Sequence, residues 1–68
     1  MKIEDNMQAK IMLSIDDTIV DNVYENNKII GTMKRNFING KLNGYTTWYD
    51  LQGKITEEIF YIKNTPMF

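Results

Sequence analysis

The chain is 68 residues long, enough for one small domain whose folding removes about 60% of the extended chain's surface from water. It contains no cysteine and no histidine, which excludes a disulfide staple, the usual metal sites and a Ser-His-Asp triad around its single serine, Ser14. Eight basic against nine acidic side chains give a net charge of −1, which is not the footprint of a general nucleic-acid binder.

The N-terminal stretch Met1-Lys-Ile-Glu-Asp-Asn has no apolar core, and no apolar run approaches the ~18 residues that span a bilayer. These features predict a cytoplasmic protein. Ile3, Met7 and Ile11 fit one face of a short N-terminal helix, an alternative to an extended start.

From there the chain reads as strands. Ile11, Leu13 and Ile15 alternate with other residues, a half-buried strand signature. Turn signals follow at Asp16-Asp17, Asn26-Asn27, Asn39-Gly40 and Leu51-Gln52-Gly53. Strands are therefore predicted near 8–15, 18–25, 28–38, 41–50 and 54–62. The fold class is all-β: an antiparallel meander of about five hairpin-connected strands in a single twisted sheet, forming one domain over 1–68.

Asn39-Gly40 fixes a register. A type I′ turn needs positive φ at both central residues, which Asn and Gly tolerate. Counting outward pairs Ile38 with Lys41, Phe37 with Leu42, Arg35 with Gly44, Met33 with Thr46 and Gly31 with Trp48. The same count from Asn26-Asn27 pairs Glu25 with Lys28, Tyr24 with Ile29 and Val20 with Met33.

One face then collects Leu13, Val20, Tyr24, Ile29, Met33, Phe37, Leu42 and Trp48. The other collects Ile19, Val23, Ile30, Tyr45 and Tyr49. The first looks like core, and the second is too apolar for open water. Either the sheet curls strongly, or a second copy or partner packs on it. A dimer or higher assembly through a sheet face or edge strand is expected.

The charge is uneven along the chain. Residues 1–27 carry Lys2 and Lys10 against Glu4, Asp5, Asp16, Asp17, Asp21 and Glu25, a net −4. Residues 28–54 carry Lys28, Lys34, Arg35, Lys41 and Lys54 against Asp50, a net +4. Adjacent strands can neutralise one another, or the dipole can orient a charged partner.

A phrase recurs about every 12 to 13 residues: Tyr24-Glu-Asn-Asn-Lys-Ile-Ile-Gly31, Phe37-Ile-Asn-Gly-Lys-Leu-Asn-Gly44, and Tyr49-Asp-Leu-Gln-Gly-Lys-Ile-Thr56. Phe37, Asn39, Gly40, Lys41, Leu42 and Gly44 resemble a MORN-type repeat, and Trp48, Tyr49, Gly53, Lys54 and Ile55 the next copy. Tyr24, Asn26, Lys28, Ile29 and Gly31 resemble a weaker copy, with Asn27 where glycine is usual. More narrowly, the phrases resemble the bacterial variant of these repeats that carries an antitoxin-family label. The resemblance spans about 24–61, and the residues before it match poorly. It implies an open sheet of consecutive hairpins and a protein-binding, often dimeric, role.

Catalytic groups are hard to find. Asp16-Asp17 with Asp21 lacks calcium-loop spacing and reads as turn chemistry. Glu57 and Glu58 are adjacent in a strand, so they point to opposite faces and form no paired-carboxylate site. No enzyme activity, cofactor or metal is expected.

The candidate partner-binding residues are Tyr45, Trp48, Tyr49, Phe60 and Tyr61 with the neighbouring cations Lys34 and Arg35. Their ordinary alternative is core and its covering surface. The expected function is a non-enzymatic protein-binding module, a small stoichiometric inhibitor of the toxin-neutralising or phage-encoded anti-defence kind, with a protein partner. The alternative is single-stranded nucleic-acid binding, in which aromatic rings stack bases and lysines follow the backbone. Net acidity argues against a lipid surface.

Overall fold

The computed structural model describes residues 6–68. They form seven strands: β1 (Met7–Ile15), β2 (Thr18–Glu25), β3 (Lys28–Ile38), β4 (Lys41–Leu42), β5 (Gly44–Tyr49), β6 (Ile55–Ile62) and β7 (Thr65–Met67). All pairings are antiparallel, in the order β1-β2-β3-β5-β6-β7, with β4 continuing the β3 ladder. No helix occurs among the described residues. Met7 and Ile11, two members of the alternative helical face, lie in β1, and the third, Ile3, is outside the described residues.

The turns follow their residue chemistry. Asn26 and Asn27 have φ of 50° and 67°, and Asn39 and Gly40 have 52° and 76°, the positive pair a type I′ hairpin requires. Gly53 takes φ +83° as its turn demands. A further turn at Lys63-Asn64, with φ of 47° and 69°, adds β7, a strand absent from the sequence-based reading. Pro66 sits in this short terminal strand, where its missing N–H costs least.

The predicted register holds next to each turn and then departs from it. Ile38 faces Lys41 and Phe37 faces Leu42, as counted. Beyond Asn43 the ladder breaks: the Asn43 N–H donates to the Asn36 carbonyl, and the Asn36 side-chain amide donates to the Tyr45 carbonyl. Gly44, at φ +93°, lets the chain restart two residues out of step. The predicted 41–50 strand is therefore two strands. Met33 faces Trp48 instead of Thr46, and Gly31 does not face Trp48.

A one-residue bulge at Ile30 changes the β2–β3 pairing from Tyr24↔Ile29 to Val23↔Gly31. Asp21, not Val20, then lies opposite Met33. Because side chains alternate with period two, a one-residue slip exchanges the faces of a strand relative to its neighbour. The expected faces are corrected accordingly. Val23 joins Met33 and Trp48, while Leu13 and Val20 share the opposite face with Lys34 and Thr47.

The sheet curls. Its Cα atoms extend 32 × 26 × 24 Å, whereas a flat sheet would have one thin dimension. Curling encloses an inner face on which Val23, Met33 and Trp48 form the core, flanked by Ile30. Gly31 is required beneath it: a Cβ at this position would overlap the Tyr49 carbonyl oxygen, so β3 and β5 meet there backbone to backbone.

Candidate partner-binding face

The register assigns each candidate residue to a face. Lys34, Thr47 and Glu58 form one row across β3, β5 and β6 on the outer face. Tyr45, Phe60 and Met67 form a parallel row across β5, β6 and β7. Tyr49, opposite Thr32, is the third aromatic of this face. Four of the seven candidates, Lys34, Tyr45, Tyr49 and Phe60, are thus brought together.

The Tyr45 ring meets Phe60 edge to face, with centroids 5.0 Å apart and planes at 71°. This geometry matches the ring quadrupoles and holds both side chains in place. Tyr45 is nevertheless 53% exposed and Met67 is 52% exposed. Thr47 donates its hydroxyl to Glu58 at 2.8 Å, which fixes the polar row beside them. Lys34 is exposed and stands in that row.

The other three candidates lie on the inner face. Trp48 is a core residue. Tyr61, opposite Gly44 and Pro66, is half-buried. Arg35 reaches the carboxylate of Asp21, and its guanidinium also lies 5.6 Å from the Phe37 ring centre. The contact to Asp21 Oδ2 is close but off the ideal hydrogen-bond direction, so it is best described as a buried charge pair.

The same face buries three donors without hydrogen-bond partners, Arg35 Nε, Thr46 Oγ1 and Trp48 Nε1. A shallow cleft lined by Ser14, Asp16, Asp17, Ile19, Phe37 and Gly40 opens at one end of the sheet. Among the described residues no group of three or more acidic side chains is placed to hold a metal ion, and no helix is long and apolar enough to cross a membrane.

The sequence-based reading missed two exposed apolar features. One is Met67, which extends the aromatic row. The other is β1, where Ile11, Met12, Leu13 and Ile15 are all exposed. The signal for the second was present: an apolar run of both parities belongs to a strand covered on both faces.

The chain matches no family model, no curated protein and no solved structure.

Proposed function

We propose that this chain is a non-enzymatic protein-binding module that acts by covering part of a partner's surface with the outer face of its sheet. The observation that carries this reading is the Tyr45–Phe60 pair, continued by Met67, lying uncovered beside Lys34. Aromatic side chains already held in place lose little conformational freedom on docking, and they dominate interface energetics. The mode fits a small stoichiometric inhibitor, such as a toxin-neutralising or anti-defence protein. The MORN-like phrases around Asn26-Asn27 and Asn39-Gly40, which form the hairpin turns, support a binding role.

The test is affinity capture with the tagged chain beside a Tyr45→Ser/Phe60→Ser variant. A protein held near one-to-one by the native chain and lost from the folded variant supports the reading. Equal capture by both removes the outer face from it.

A second reading is single-stranded nucleic-acid binding, favoured by Lys34 sharing a face with Tyr45, Tyr49 and Phe60. Arg35 is withdrawn to Asp21, which weakens it. Salt-sensitive binding of a labelled oligonucleotide would support it, and no binding at low salt would remove it.

A further inference from the structure

We infer that the cleft between the Asn39-Gly40 and Lys63-Asn64 turns binds a small phosphorylated molecule, its phosphate group held between Lys41 and Lys63. The inference is independent of the aromatic face.

The cleft has a volume of about 330 Å³ and is lined by Ile38, Asn39, Lys41, Asn43 and Lys63. That is the small end of the range of ligand clefts. Two hairpins far apart in sequence form its walls, and hydrogen bonds tie them together. The Lys63 N–H donates to Asn43 Oδ1 at 3.3 Å, and Asn64 shares two bonds with Leu42. The walls are therefore set before a ligand arrives, which lowers the cost of binding.

The charge of the cleft has one sign. Lys41 and Lys63 line it, and no acidic residue does. None occurs in the sequence from 36 to 49 or from 59 to 68. Asp16 and Asp17 line a separate cleft, which reaches the same hairpin at Gly40. Among the described residues no carboxylate pairs with either lysine. Two ammonium groups around one space repel each other, and a doubly charged anion between them replaces that repulsion with attraction.

Lys63 is also an unusual residue for its position. Its φ of +47° lies in the left-handed region, which favours Asn, Asp and Gly. The other hairpins place Asp16, Asn26 and Asn39 at positive φ. The last hairpin sets a cation there against local preference, and backbone strain of this kind collects at binding sites.

Asn43 completes the donor set. Its side-chain oxygen accepts from the Lys63 N–H, so the amide presents its NH₂ group as a donor. Two cations and an amide donor match a phosphate, with its double charge and three acceptor oxygens, better than a singly charged carboxylate. Ile38, 54% exposed, offers an apolar wall to the rest of the molecule.

The experiment follows the backbone amides of the native chain by NMR at constant ionic strength and a pH where phosphate is doubly charged. The additions are inorganic phosphate, phenyl phosphate, sodium chloride and a single-stranded oligonucleotide. The expected result is saturable shifts at Lys41, Asn43 and Lys63 with both phosphates, and tighter binding of phenyl phosphate. Lys41→Gln and Lys63→Asn should each weaken binding about ten-fold, the loss of one charged hydrogen bond. Lys63→Asn keeps a residue suited to positive φ, so its fold should be retained, and its thermal midpoint should not fall. No saturable shift with phenyl phosphate overturns the proposal, as do equal shifts with chloride or unchanged affinity in both variants. Shifts with the oligonucleotide alone assign the cleft to a nucleic-acid backbone and overturn the small ligand. Equal affinity for the two phosphates overturns the part given to Ile38.

Discussion

Arg35 on β3 places Nη2 2.7 Å from Oδ2 of Asp21 on β2, and the Asp21 side chain is 1% exposed. The two residues are diagonal neighbours: Asp21 faces Met33, and Arg35 lies two residues further along. A carboxylate this far from water is tolerated because a cation sits against it. Replacing Arg35 by Met should destabilise the fold by about 3–5 kcal/mol, since it strands the carboxylate. Replacing both residues by Leu should cost less than either single change. Urea unfolding of Arg35→Met, Asp21→Leu and the double Leu variant checks the order, and a double variant no better than the worse single one would contradict it.

Gly31→Ala tests the close approach of β3 to β5. Alanine is ordinarily better than glycine in a strand, so propensity alone predicts a gain. The overlap with the Tyr49 carbonyl predicts a loss of about 3 kcal/mol, because the two backbones must separate. The sign of the change in thermal midpoint decides between them.

Trp48→Ala should remove about 3–5 kcal/mol, since the ring is 8% exposed and spans the core beside Met33. Trp48→Phe should cost less. It keeps a ring and deletes the buried indole N–H, which has no partner. Equal losses from both would show that the wider indole fills space a phenyl ring cannot.

Asn64 connects the last hairpin to β4. Its side-chain Oδ1 accepts from the Leu42 N–H at 2.7 Å, and its own N–H donates to the Leu42 carbonyl at 2.8 Å. Asn64→Ala removes the first bond and places alanine at φ +69°, so a loss of about 1–2 kcal/mol is expected. Amide exchange at Leu42 should accelerate in the variant. Unchanged exchange there would mean the bond contributes nothing.

The turns were legible because Asn-Asn, Asn-Gly and Gly53 are the residues that tolerate positive φ, and four of the strands followed from them. The faces were not. Bulges at Met12 and Ile30 each insert one residue with no residue type to mark it, and each exchanges the two sides of a strand. This is why Val23 was placed away from Met33, and why Arg35 read as a free surface cation. Asp21 reaches the inner face only after the slip at Ile30. The Lys63-Asn64 turn escaped notice because lysine is not a residue that announces positive φ. On the outer face, Tyr45, Tyr49 and Phe60 were legible as a group, but Trp48 and Tyr61 were separated from them by simple alternation.

The strand order carries a kinetic consequence. Every strand pairs with the next along the chain, except that β3 pairs both with the two-residue β4 and, beyond it, with β5, so no ladder waits for distant segments to meet. Folding rates rise as contacts become more local. The chain should assemble by zippering outward from the Asn26-Asn27 and Asn39-Gly40 hairpins, faster than a β-sandwich of equal length. Unfolding should run the other way, with β7 released early and β3, held on both sides, released last.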